Sequence, residues 1–156
     1  MISIHIPGHG HLEIGHLVLD YNGTLAIDGR MDQTAKKILQ ELSSEVEIHI
    51  VTADTFGSAR EEVADLDCQF VVLNQQCQDV LKREYVAELG SSHVLAIGNG
   101  RNDRLMVKEA AVGLAVLREE GAFSETMLHS DVICTHIVDA LNLMKHPTRL
   151  IATLRN

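Results

Sequence analysis

Short apolar runs, each closed by a polar loop, alternate with amphipathic helical stretches along almost the whole chain. That alternation restricts the fold more than any other feature. Strands separated by helix-length segments pair in parallel, and a parallel sheet buries both its faces under helices. Strand-like runs are read at 2–6, 12–19, 46–52, 70–73, 94–97, 112–116 and 132–133. Helical ones are read at 35–42, 59–66, 80–89, 104–110, 124–129 and 137–144. Within 35–42, Ala35, Ile38, Leu39 and Leu42 make one apolar stripe at the helical period. Gly90 stops the helix at 80–89, and Pro147 separates the last of these helices from a terminal one. Pro7-Gly8-His9-Gly10 is a turn joining the first two runs, so a β-hairpin is expected to open the chain. The expected fold is α/β, a three-layer Rossmann-like arrangement around a mainly parallel sheet, in one domain over residues 1–156.

Composition narrows the classes of function. Apolar residues make up 46% and charged residues 22% of 156, enough for a packed core. Thirteen Lys and Arg against 22 Asp and Glu leave a net charge of −9, so a polyanion feels no long-range attraction. No apolar run approaches the ~20 residues of a spanning helix. The first residues lack the basic start and apolar stretch of a signal peptide. Cys68, Cys77 and Cys134 are odd in number and show no CxxC spacing, which reads as reduced thiols. A cytoplasmic α/β enzyme with neither nucleic acid nor membrane as partner is the expectation.

Three polar loops follow strand-like runs: Asp20-Tyr21-Asn22-Gly23-Thr24, Thr52-Ala53-Asp54, and Gly98-Asn99-Gly100-Arg101-Asn102-Asp103. A parallel sheet puts such loops at its ligand-binding edge. Asp20 and Asp103 offer the one or two carboxylates that Mg²⁺ usually takes from a protein. Glycines at 23, 98 and 100 let backbone amides approach phosphate oxygens, Thr52 offers a hydroxyl, and Lys82 a fixed positive charge.

These residues resemble a known family. Leu17-Val18-Leu19-Asp20-Tyr21-Asn22-Gly23-Thr24-Leu25 resembles the first motif of the haloacid dehalogenase (HAD) superfamily, an apolar strand followed by Asp-x-Asp-Gly-Thr. Ile50-Val51-Thr52-Ala53-Asp54 is similar to the second motif, and especially to the Thr-Gly-Asp of P-type ATPase phosphorylation domains. Lys82 matches the lysine of the third motif, and AIGNGRNDRLMVKEAAVGLA, from Ala96 to Ala115, resembles the fourth, Gly-Asp-Gly-x-Asn-Asp. All four occur in order over about residues 15–116. The similarity is greatest to soluble, uncapped, P-type-ATPase-like HAD proteins.

The resemblance implies roles. Asp20 would be the nucleophile that forms an aspartyl-phosphate. Mg²⁺ would be held by Asp20, the Asn22 carbonyl, and one or both of Asn99 and Asp103. Phosphate would be met by Gly23, Thr24, Thr52, Ala53, Lys82 and Asn102, with Asn102 also orienting Asp20 or Thr52. A phosphorylated small molecule or a phosphoprotein would be the substrate.

Two departures bear on activity. Asn22 stands where HAD phosphatases carry a second Asp that protonates the leaving group and later activates water. An amide has no proton to exchange, so an acid–base contribution of ~10²–10⁴-fold is missing and slow turnover is expected. Asn99 replaces a metal-binding Asp and removes one unit of charge. Only 27 residues separate Thr24 from Thr52, and 29 separate Thr52 from Lys82, too few for a large cap or an inserted nucleotide-binding domain.

Alternatives stay open at this point. A degenerate HAD domain could act as a regulatory or partner-binding module, and a receiver domain would also use Asp, Thr and Lys. Arg83 competes with Lys82 for the third motif, while Asp28 and Asp54 read as turn formers. The hairpin is a candidate contact between copies of the chain, or else simply a sheet edge. His5, His9, His11 and His16 crowd into 12 residues, but no acidic or cysteine set completes a metal site there, and surface histidines are the reading.

Overall fold

The computed structural model describes residues 1–53 and 58–156. The strands are β1 (Ile2–Ile6), β2 (Gly10–Ile14), β3 (His16–Leu19), β4 (Ala26–Ile27), β5 (Arg30–Met31), β6 (Glu47–Thr52), β7 (Gln69–Val72), β8 (Val94–Gly98), β9 (Val112–Val116) and β10 (Val132–Cys134). The helices are α1 (Gln33–Leu42), α2 (Ser58–Glu62), α3 (Gln78–Leu89), α4 (Arg104–Glu109), α5 (Ser124–His129), α6 (Ile137–Lys145) and α7 (Pro147–Leu154). Six strands form one parallel sheet in the order β10-β9-β8-β3-β6-β7.

Each face of that sheet has its own core. Leu17 and Leu19 of β3 point into one with Leu39 and Leu141, while Val18 points into the other with Val86 and Met106. Alternate residues of one strand face opposite sides, so burial on both sides turns the central strands into continuous apolar runs. Helices α1 and α6 pack together, as do α3 and α4. The Asp32 carboxylate caps α1 by accepting from the N–H groups of Thr34 and Ala35, both at 2.9 Å.

Four local differences from the sequence reading have clear causes. The run 12–19 is two strands, because the Gly15 N–H donates to His93 O and its carbonyl accepts from Glu47 N. The antiparallel ladder with β1 therefore ends at Ile14, and β3 enters the parallel sheet. In β6 polar and apolar residues alternate from Val46 to Ile50, the pattern of a half-buried strand, yet every residue from Ile48 to Thr52 is buried. Helix α2 ends at Glu62, although Val63 and Leu66 continue into the core through turns. The short ribbon β4–β5 is unanticipated, and Asp28 sits at its tip with a φ of 51°.

The β1–β2 hairpin turns Ile2, Ile4, Ile6, Leu12 and Ile14 into the chain's own core. Its apolar face is thus already covered within one copy.

Candidate active site

The order of the sheet creates the cleft. From β3 the chain continues to β6 and β7 on one side, then crosses to β8 on the other. The loops after β3 and β8 consequently diverge at their carboxyl ends, the usual place for a ligand in such sheets. Asp20 leaves β3 with its N–H donating to Ile97 O at 3.0 Å, which holds it against β8. Residues 21–26 then turn sharply. Tyr21 O accepts from the N–H groups of Thr24 and Ala26, and the Gly23 N–H donates to Ala26 O at 2.7 Å. Gly23 has a φ of +80°, and a Cβ there would lie 2.4 Å from Asn99 Nδ2. Only glycine combines that backbone conformation with so close a neighbour.

Lys82 ties the site together. It lies on α3, fully buried, and its Nζ donates to Asp20 Oδ1 at 2.5 Å and to Asp103 Oδ1 at 2.6 Å. Arg83, the competing register, is half-buried and pairs with Glu84 outside the site. Asp103 Oδ2 accepts from the backbone N–H groups of Asn99 at 3.0 Å and Gly100 at 2.8 Å. A Cβ on Gly98 would stand 2.5 Å from that of Asp103, so glycine lets the loop fold back over its own carboxylate. The Thr24 hydroxyl is shared between Asn99 Oδ1 at 3.1 Å and Asp20 Oδ2 at 3.4 Å. The Asn99 amide in turn donates to Gly121 O at 3.0 Å.

Over this network opens a cavity of about 590 Å³ lined by Asp20, Asn22, Thr52, Ala53, Asn99, Gly100 and Asn102. Gln75, Gln78 and Glu120 complete its wall. None of those three was singled out from sequence. Gln78 had a signal, since it precedes Lys82 by one helical turn and so shares its face of α3; Glu120 had none.

The other expected residues surround this network. Asp103 is fully buried, one oxygen accepting from Lys82 and the other from two backbone amides, so it stands behind Asp20 on the far side of Lys82. The N–H groups of Gly23 and Thr24, with the Thr24 hydroxyl, are hydrogen-bonded inside the loop and to Asn99 and Asp20. Lys82 lies beneath the cavity because a buried ammonium must pair with carboxylates. The Asn102 amide donates to Gln78 Oε1 at 2.9 Å. Asp54 lies outside the described residues.

Asp20, Asn22 and Asn99 stand together on the cavity wall. That is an oxygen donor set with one carboxylate, which fits Mg²⁺ with water completing its shell. The Asp20 carboxyl is held in an environment that disfavours its charge. Burial and the neighbouring Asp103 push its carboxyl up to about 7, and the charge and hydrogen bond of Lys82 only partly oppose them. A carboxyl that holds its proton more tightly folded than unfolded stabilises at low pH and loses that contribution as pH rises. The ion-free protein is therefore expected to lose stability between about pH 4 and pH 7, by up to ~1.4 kcal/mol per unit from this group. Urea midpoints measured across that range check this. Asp20→Asn should flatten the profile, and millimolar Mg²⁺ should raise the midpoint at pH 7–8.

No protein-family model matches the sequence. Over 73 residues, 47% of this chain and 78% of the relative, the chain is 44% identical to Uncharacterized protein MJ0073 of Methanocaldococcus jannaschii. Among solved structures it is similar to the 3-deoxy-D-manno-octulosonate 8-phosphate phosphatase of Moraxella catarrhalis, a complex with magnesium, phosphate and KDO. That match has a TM-score of 0.70 at 20% identity, covering 91% of this chain and 94% of the other. The enzyme of the same description from Yersinia pestis gives 0.71 at 13%, covering 96% and 95%. A hydrolase of HAD superfamily subfamily III A from Legionella pneumophila gives 0.72 at 15%, covering 90% and 87%. Among the described residues no helix is long and apolar enough to cross a membrane. The chain belongs to the family of the M. jannaschii protein and has the fold of the HAD phosphatases.

Proposed function

We propose that this chain is a Mg²⁺-dependent HAD-type phosphohydrolase that carries the phosphoryl group on Asp20. The observation that carries the reading is the Asp20 carboxylate, 6% exposed, facing the cavity at the end of the central strand while Lys82 bridges it to Asp103. Asp20, the Asn22 carbonyl and Asn99 would hold the cation. Mg²⁺ there supplies positive charge that keeps Asp20 ionised and offsets the charge on the phosphoryl oxygens.

An Asp20 oxygen attacks phosphorus, the bond from phosphorus to the leaving oxygen breaks, and an acyl phosphate forms. The leaving oxygen takes its proton from water, since the Asn22 amide has none to give. Thr52 and Ala53 face the same cavity and would hold the transferred group. Water then attacks that phosphorus, releasing inorganic phosphate and restoring Asp20. The substrate is a phosphorylated small molecule or a phosphoprotein reached through an uncapped mouth. The motif residues favour the P-type-ATPase-like group, whose phosphoenzymes persist.

A panel of phosphorylated metabolites and phosphopeptides with Mg²⁺, run beside Asp20→Asn, tests the reading. Phosphate release that the variant retains would overturn it. Asn22 and Asn99 favour a second reading, a non-catalytic module. In that case neither Mg²⁺ nor beryllium fluoride would raise the melting temperature. Asn22→Asp adds a group that can exchange protons at the cavity wall without changing its size. Turnover is expected to rise by about 10²-fold or more, read as steady-state kcat; a flat rate would remove the proposed role of Asn22.

A further inference from the structure

At the opposite end of the central strands lies a second cluster of ligating side chains. His16 starts β3, and its register partner Glu47 starts β6. His49 lies two residues further along β6, so its side chain returns to the same face of the sheet. His16 Nδ1 is 3.1 Å from His49 Nε2 and 3.5 Å from Glu47 Oε2, and His49 Nε2 is 3.8 Å from that same oxygen. A circle through three atoms so spaced has a radius of about 2.0 Å, the length of a zinc bond to imidazole nitrogen or carboxylate oxygen.

The surroundings also suit a metal. The His49 side chain is 3% exposed, and its second ring nitrogen, Nδ1, is hydrogen-bonded to the Tyr85 hydroxyl at 2.8 Å. When Nδ1–H donates to the Tyr85 hydroxyl, Nε2 presents its lone pair toward His16 and Glu47. Glu47 is 72% exposed, so the fourth position opens to water. Two imidazoles and one carboxylate are a donor set for Zn²⁺ and not for the all-oxygen shell of Mg²⁺.

We propose that His16, Glu47 and His49 form a Zn²⁺ site with one water-filled position, clamping the amino ends of β3 and β6. It lies four residues along β3 from Asp20, about 13 Å away, and does not depend on the phosphohydrolase reading. The bland alternative is a hydrogen-bond network in which the histidines and Tyr85 satisfy one another without an ion.

Titration calorimetry of the full chain with ZnCl₂ in millimolar Mg²⁺ separates the two. The optical spectrum of the Co²⁺ form, which shows visible d–d bands in a tetrahedral site, gives a second readout. His16→Gln and Glu47→Gln are the diagnostic variants, because both positions reach solvent and the fold should tolerate them. The expected result is one equivalent bound by the parent chain, and equally by Asp20→Asn and by His11→Gln on the exposed hairpin. His16→Gln and Glu47→Gln should each weaken it at least about 10-fold and abolish the Co²⁺ bands. Absence of binding by the parent chain would overturn the proposal. So would binding that survives both diagnostic variants, or that disappears with Asp20→Asn or His11→Gln.

Discussion

Asp20→Asn is expected to reduce phosphate release by about 10³-fold or more, to the background of the uncatalysed reaction. The amide is nearly isosteric; its oxygen can still accept from Lys82, while its NH2 group meets the Thr24 hydroxyl, which can accept in turn, so the loop after β3 is expected to keep its shape. What disappears is the ionised oxygen that attacks phosphorus, and no neighbour replaces it. Asp103 is locked by Lys82 and two backbone amides. The same substitution removes the repulsion between two buried carboxylates. The ion-free variant should therefore melt no lower than the parent chain at pH 8, where Asp20 is ionised. Circular dichroism melts beside a phosphate-release assay check both halves. Activity within tenfold of the parent would refute the assignment of Asp20.

The second large effect concerns stability. Lys82→Met is expected to cost about 3–5 kcal/mol, a large share of the ~5–15 kcal/mol that holds a typical domain together. Methionine fills much the same space, but it leaves Asp20 and the fully buried Asp103 facing each other without a counter-charge. The pair should respond by holding a proton, so the penalty grows as pH rises. Combining Lys82→Met with Asp103→Asn removes one of the stranded charges and should recover a good part of the loss. Urea denaturation of the three chains measures this. An equal loss in single and double variants would mean that packing, not charge, is what Lys82 supplies.

Much of the fold was legible because its signals are local. Helix 80–89 and strand 94–97 lie within about two residues of α3 and β8, since apolar period and a terminal glycine act within a few positions. The break at Gly15 left no such trace. It arises because backbone groups of His93 and Glu47, far along the chain, capture the Gly15 peptide. His49 misled the reading of β6 for a related reason. In isolation Glu-Ile-His-Ile looks like a strand with one wet face, yet α3 brings Tyr85 over that face and His16 beside it.

The candidate site divides in the same way. Asp20, Asn22, Thr52 and Asn99 were located by motif, and all four line one cavity because the loops after parallel strands share one edge of the sheet. How their neighbours are arranged was not readable. That Asp103 turns inward, that Lys82 lies beneath the cavity, and that Gln78 and Glu120 form its wall follow from where α3 and the loop after β9 come to rest.

The chain's own order of residues settled which segments are strands, which are helices, and which turns carry the polar groups, because those choices rest on neighbours a few positions away. Packing alone settled the pairing of the charges, joining Lys82 to a carboxylate 62 residues off, and it brought two histidines 33 residues apart into contact. A buried charge or ring must satisfy whatever lies beside it in space, and only the folded chain decides what that is.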